Sequence, residues 1–324
     1  MLRYALRRVA AGLLVVLCVI VLNFALLELL PGDAASRLAS SPPRPGELEM
    51  WQEWTCADCP IHERLGSWLW NFARGDLGTS FSRQRPVTAC LRDALPPTLA
   101  LATFAALVNL IVGIALGLVS VLRRNRAGDQ LLTAGALALY AMPTFWLGLM
   151  AILVFGFWLR WFPISSLESV GNAAMTPLGR VADRLWHLAL PALVLGLGSA
   201  AAMSRFVRTG LLESLTEEFT RATRARGAGF MRVLFNALRH SAVPLLQILG
   251  LTLPVLVSGS LVVEVVFSLP GMGRLAFDAI MAEDYPLLQA CSVLATSLVV
   301  AGSLFADLGT CLADPRIRLA RSSS

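Results

Sequence analysis

The sequence predicts an all-α polytopic membrane protein with about six transmembrane helices and both termini in the cytoplasm. Three observations predict it. Hydrophobic residues make up 56% of the 324-residue chain and charged residues 15%, with a mean hydropathy of +0.67. Soluble domains average about 45–50% apolar and about 25% charged. Six segments also reach the length of roughly 20 mostly apolar residues that a spanning helix needs. Finally, the arginines alternate in density between the connecting segments. The composition excludes disorder, which needs low hydrophobicity and high charge. The chain contains no lysine, so all 27 basic residues are arginines. This rules out a P-loop and any lysine Schiff base, and any ATP that the protein uses must bind another subunit.

The six segments run from about Val9 to Leu30, Pro96 to Leu122, Leu131 to Leu159, His187 to Ser204, Ala242 to Val263 and Pro286 to Ala306. Arg3, Arg7 and Arg8 before the first could be read as the start of a signal peptide. However, Val9 to Leu27 is 19 uncharged residues, longer than a signal core of about 7–15, so the expectation is an uncleaved first helix. With a cytoplasmic N-terminus, the inside segments hold 16 of the 27 arginines and carry a net charge of +10, against −3 outside. This is the arginine bias expected of cytoplasmic loops. It explains the overall charge of +6 without nucleic acid. The resulting division is a first helix over 1–31, a periplasmic segment over 32–95, a five-helix core over 96–310 and a cytoplasmic tail over 311–324.

One inside segment dominates, 205–241, and it reads as two amphipathic helices. Ser214 and Glu217 have capping-box spacing, which marks Ser214 as an N-cap. Leu215, Phe219 and Ala222 form a stripe at i, i+4 and i+7, and Glu217 and Arg221 stand four residues apart on another face. Gly227 and Gly229 suit a helix end. The second helix carries Phe230, Val233, Leu234, Ala237, Leu238 and Ser241 at helical spacing. Two readings fit: a basic helix lying on membrane lipid, or a protein-docking element.

Polar residues within the spans are candidates for a translocation pathway: Asn23, Glu28, Asn109, Tyr140 and Thr144. Hydration of Glu28 at the outer interface and an interhelical hydrogen bond for Asn109 are the plainer readings. Pro143 and Pro254 read as kinks, and Gly113, Gly117, Gly196, Gly198 and Gly259 as close-packing positions. Glu264, Pro270, Gly271 and Gly273 mark a turn that forbids a long helix, either an outer gate or a packed turn. Cys56 and Cys59 lie outside, where a disulfide is permitted. His62 is near, but no complete metal-ligand set is evident. A membrane thiol oxidoreductase using Cys56 and Cys59 is the reading from another class, and Cys90 leaves its second pair incomplete.

Residues 221–244, RATRARGAGFMRVLFNALRHSAVP, resemble the EAA loop of ABC-importer permeases, in the dipeptide, oligopeptide and nickel branch. Further matches follow in order: LRYALRRV at the N-terminus, PGDA at 31–34, RGDLGTSF at 74–81, LPPTLALA at 95–102, MPTFWLGL at 142–149, HLALPALVLGL at 187–197, EVVFSLPGMGRL at 264–275, Asp284-Tyr285-Pro286 and DPRIR at 314–318. Residues 42–65 depart from the pattern, and Cys56 and Cys59 are not part of it. The resemblance implies a type I ABC-importer permease fold in the bacterial inner membrane. It implies that this subunit is half of a translocation pathway, paired with a second homologous permease. Two cytoplasmic ATPases that bind ATP and Mg would dock inside, and a periplasmic binding protein outside. The chain itself would hold no cofactor, metal or catalytic residue. ATPase coupling falls to Leu215, Glu217, Glu218, Phe219, Arg221, Ala222, Arg224, Arg226 and Gly227. Peptides are the expected cargo, with nickel or a metal chelate as the alternative.

Overall fold

Apolar helices in a bilayer must satisfy their own backbone hydrogen bonds, and the described residues do so as long helices. The computed structural model describes residues 2–29, 59–123, 127–240 and 260–313. Among these, four helices are long and apolar enough to span a membrane, and a bent helix pair makes up to five. They are α1 (Leu2–Leu29), α3 (Val87–Leu122), α6 (Pro177–Thr216) and α10 (Tyr285–Ala313). Most of the expected Ala242–Val263 span, with Pro254 and Gly259, lies outside the described residues, although 260–266 are helical.

Between α1 and α3 the chain forms α2 (Ile61–Ala73) and then a two-stranded antiparallel ribbon, β1 (Thr79–Ser80) with β2 (Arg85–Pro86). α2 is amphipathic, with Trp68 buried against Ile20 of α1 and Val293 of α10. The RGDLG run is the turn that follows it. Gly75 and Gly78 adopt φ of +78° and +75°, a region open to glycine at little cost. Asp76 Oδ1 accepts from the Gly78 N–H at 3.1 Å. The same turn brings the ribbon against the start of α10.

Three expected spans differ in extent or shape. α3 begins at Val87 rather than Pro96, with Pro96 and Pro97 inside the helix. α6 runs 40 residues, far beyond His187–Ser204, with Pro177 in its first turn and Thr176 Oγ1 accepting from the Gly179 N–H. The third span is not a kinked rod. α4 (Ala127–Ala141) and α5 (Thr144–Ala151), which continues as a π-helical turn over Ile152–Trp158, meet at 104°. Pro143 causes this break: it has no N–H to donate, it biases the preceding residue away from helix, and its ψ of 133° starts α5 afresh.

Among the described residues, α3 and α6 form the largest contact. They run parallel, because residue 105 meets 196, 113 meets 200–203 and 117 meets 204–207. Glycine sets the spacing. A Cβ on Gly113 would lie 2.6 Å from Met203, on Gly117 2.6 Å from Val207, and on Gly196 2.7 Å from the Ala105 carbonyl oxygen. Gly198 has open space around it and is not a packing position, contrary to the expectation. α1 packs antiparallel on α10 through an Asn23–Ser292 hydrogen bond of 3.0 Å and an Arg8–Asp307 ion pair of 3.1 Å. The arginine-rich ends of α1, α3 and α6 therefore share one face, the cytoplasmic face by the charge bias. On it, α7 (Glu218–Ala225) and α8 (Phe230–His240) follow α6. On the other face, α9 (Met272–Met281) precedes α10.

Gly117→Leu is expected to overpack this seam by about 1–3 kcal/mol and to lower the thermal unfolding midpoint of the detergent-purified protein. Gly198→Ala, on the same helix pair, should match the wild type or exceed it.

Candidate functional site

On the cytoplasmic face, the chain turns at Glu217, whose ψ of 155° ends α6 and starts α7. Ser214 is therefore not the N-cap. It lies buried inside α6, and Glu217 takes the N-cap position. The expected stripe is split as well. Leu215 belongs to α6 and packs against the cluster of Met203, Val207 and Leu211, whereas Phe219 and Ala222 ride on α7. The helix-forming run LLESLT simply continues α6 past the capping signal. The corner is held by Thr220, which is buried and donates its hydroxyl to the Ser214 carbonyl at 2.7 Å. That carbonyl is one of the last four in α6, which lack a partner within the helix.

Around the corner, Glu217, Glu218, Arg221, Ala222, Arg224 and Arg226 are exposed and Phe219 is half-buried. Gly227 sits at φ +80° and closes α7. α8 then turns Val233, Leu234 and Ala237 into the core and leaves Phe230, Met231 and Phe235 exposed. The stripe expected on this helix is thus present, except that Phe230 faces outward; Ser241 lies outside the described residues. The result is an apolar patch rimmed by arginines, anchored from below by buried contacts.

The pathway candidates are not gathered into one place. Asn23 spends its amide on Ser292. Glu28 is on the last turn of α1, and its side chain lies outside the described residues. Tyr140 is exposed beside the Pro143 break, and Thr144 is half-buried after it. Asn109 differs. It is 1% exposed in the middle of α3, and neither its amide nitrogen nor its oxygen has a hydrogen-bond partner. The expected interhelical hydrogen bond is absent among the described residues, which leaves an unmet polar group in the middle of α3.

On the outer face, Glu264, Gly271 and Gly273 come together in a packed turn, with Pro270 exposed at its edge. Glu264 is 1% exposed. Its carboxyl group accepts from the Thr98 hydroxyl at 2.7 Å, the Gly273 N–H at 2.7 Å and the Arg274 N–H at 3.1 Å. It thereby caps the N-terminus of α9. The Thr98 hydroxyl also accepts from the Met272 N–H at 2.7 Å. Gly271 is required here, because a Cβ would meet the Glu264 carboxyl at 2.4 Å.

A second buried acid caps α10. Asp284 Oδ2 accepts from Ser80 Oγ at 2.6 Å, Ser82 Oγ at 2.7 Å and the Ser82 N–H at 3.0 Å. Thr98, Ser80 and Ser82 stand 166 to 204 residues from their partners, so no local spacing reveals them.

Beside this turn, a cleft of about 350 Å³ opens between the ribbon, α3 and α9. Arg83 bonds Asp278 at 2.9 Å and Arg85 bonds Asp93 at 2.8 Å across it. The hydrogen bond and then the charge of Asp93 push the Arg85 guanidinium pKa up. A second cavity, about 280 Å³ and almost wholly apolar, lies against the α4–α5 bend. Cys59 is disulfide-bonded, whereas Cys18, Cys90 and Cys291 are free. Cys56 lies outside the described residues.

Two tests follow from this geometry. Glu264→Ala strands three donors, each worth about 1–3 kcal/mol when unmet, and should lower the unfolding midpoint well below that of Glu264→Gln, which keeps one acceptor. Asn109→Leu removes an unpaired buried amide. Its thermal stability should equal or exceed the wild type, while uptake in proteoliposomes falls.

The family described as binding-protein-dependent transport system inner membrane component matches residues 109–319, and its N-terminal counterpart matches residues 1–102. The oligopeptide transport system permease protein AppB of Bacillus subtilis is 33% identical over 316 residues, spanning 97% of this chain and 98% of its own. A Brucella abortus protein named as a peptide transport system permease is 35% identical over 314 residues, again spanning 97% and 98%. Among solved structures, a chain of the MetNI methionine ABC transporter in an inward-facing conformation shares the fold, with a TM-score of 0.57 at 17% identity over 70% of this chain and 97% of that one. With both family regions matched in order along an all-α bundle of this type, the chain belongs to the inner membrane components of binding-protein-dependent transport systems, the multi-pass permease subunits of ABC importers.

Proposed function

We propose that this chain forms half of a peptide translocation pathway in a bacterial inner membrane and that the α7 corner receives an ATPase subunit. The peptide cargo is supported by the names of the full-length relatives. The other half is a second, homologous permease. Two ATPase subunits bind ATP and Mg at the cytoplasmic face, and a periplasmic binding protein delivers the cargo.

The observation that carries the docking role is the construction of the corner. An exposed arginine-rimmed apolar patch is tied to a spanning helix by the Thr220–Ser214 hydrogen bond and by the buried face of α8. A partner that presses on α7 therefore presses on α6. Arginines at the rim orient such a partner, and Phe219, Phe230, Met231 and Phe235 supply the apolar contact that a docking core needs. The hydrolysis chemistry lies in the partners, and this chain supplies the contact that converts their closure into helix movement.

The test is affinity purification in mild detergent from cells carrying wild type, Phe219→Ala or Gly227→Val. Phe219→Ala removes an apolar contact. Gly227→Val forces a β-branched residue to φ +80°, at a cost of about 1–2 kcal/mol or more. The wild type should bring down a second permease and ATPase subunits. Both variants should insert normally yet retain at least about tenfold less ATPase. Undiminished ATPase in both would remove the α7 corner from the docking surface.

A further inference from the structure

The outer cleft is built for one more carboxylate than the chain provides. Its charged lining is Arg83, Arg85 and Arg274 against Asp93 and Asp278. Arg83 is paired with Asp278 and Arg85 with Asp93. Arg274, half-buried on the first turn of α9, makes only a backbone contact among the described residues, through its N–H to Glu264. The remaining lining, which includes Cys90, Ala94, Pro270, Gly271 and Leu275, carries no charge. The cleft thus has a net charge of +1 and one guanidinium fork free.

We propose that Arg274 is a docking point for an aspartate or glutamate side chain of the binding protein that delivers cargo to this face. This rests on the reading that the chain receives its cargo from such a protein. A guanidinium pairs a carboxylate through two parallel hydrogen bonds, which fix orientation as well as adding attraction. The two existing arginine–aspartate bridges flank the free arginine and keep it from folding onto an internal acid. About 350 Å³ accommodates a side chain but not a domain, so the partner inserts one acidic residue and rests on the rim.

The position gives the contact a consequence. The backbone N–H of Arg274 is held by Glu264, and Glu264 is held by Thr98 of α3. The walls of the cleft are the ribbon, which is bridged to α9 by Arg83–Asp278 and to α3 by Arg85–Asp93. A carboxylate seated on Arg274 bears on the junction between α3 and α9, where the outer ends of two helices meet.

The experiment uses the whole transporter in nanodiscs, with the binding protein that copurifies with the wild-type complex as the probe. Affinity is measured at two salt concentrations for wild type, Arg274→Gln and Arg274→Lys. The expected result is an affinity loss of about tenfold or more for Arg274→Gln, with a flatter salt dependence. Arg274→Lys should fall between, since it keeps the charge without the fork. Neither change touches the backbone N–H, so the unfolding midpoint and ATPase content should stay at wild-type values. Equal binding by wild type and Arg274→Gln would overturn the docking point alone. So would unchanged binding-protein affinity combined with a raised KM that disappears for C-terminally amidated peptides, because the carboxylate would then belong to the cargo. Failure of the wild-type complex to bind any such protein would instead overturn the delivery reading, and this inference with it.

Discussion

Burying Glu264 and Asp284 constrains the outer half of this protein more than any apolar contact does. A carboxyl group enclosed in an apolar bundle is costly unless its oxygens are hydrogen-bonded. Both acids meet that requirement by taking the N-terminus of a helix and a hydroxyl from a distant segment. Glu264 joins α9 to α3 through Thr98, and Asp284 joins α10 to the ribbon through Ser80 and Ser82. The apolar cluster of Val87, Leu91, Met272, Leu275 and Leu287 fills the space these bonds enclose. Hydrophobic contact in a membrane lacks the directional force that would select this arrangement. The polar caps select it, because only one register brings the donors to the acids.

The spans that the described residues contain were legible in the sequence because hydropathy over about 20 residues is a direct reading of bilayer thickness. The face of each helix end was legible because arginine placement follows membrane orientation. The parts that were not legible fail for identifiable reasons. The capping box at Ser214 is a local signal, and it lost to a helix former run and to a tertiary bond, Thr220 to the Ser214 carbonyl. The Pro143 break was expected as a kink because a single proline specifies lost backbone bonding but not the angle, and neighbouring helices decide that. Glycine spacing marked Gly113, Gly117 and Gly196 as packing positions. It could not separate them from Gly198, which shares the composition but faces open space.

The candidate sites divide along the same line. The residues expected to couple to an ATPase are contiguous, so their pattern of arginines, Phe219 and Gly227 is visible in one window, and the structure separates Leu215 from the others by placing it on α6. The outer turn was half visible. Glu264, Pro270, Gly271 and Gly273 share one segment, but Thr98, which completes the cap, lies 166 residues away. Arg274 lies within that segment, but its place in the cleft depends on Arg83 and Arg85 pairing with Asp278 and Asp93. Polarity marks the pathway candidates, and polarity does not distinguish Asn23, satisfied by Ser292, from Asn109, which has no partner among the described residues.

These contacts form one continuous mechanical frame. The α7 corner is fixed to the end of α6. α6 runs parallel to α3 along a glycine seam with no slack for side chains, and α3 carries Thr98 to the Glu264 cap at the opposite face. Close-packed helices transmit displacement as rigid elements because their interfaces tolerate little compression. Among the described residues, α6 and α3 thus form a rigid connection from the corner to the outer turn. The α4–α5 segment, bent by 104° at Pro143, breaks that continuity on its own side. An apolar cavity lies between it and α6. The described bundle thus sets a glycine-packed seam, α3 with α6, beside a bent pair whose packing against α6 is incomplete.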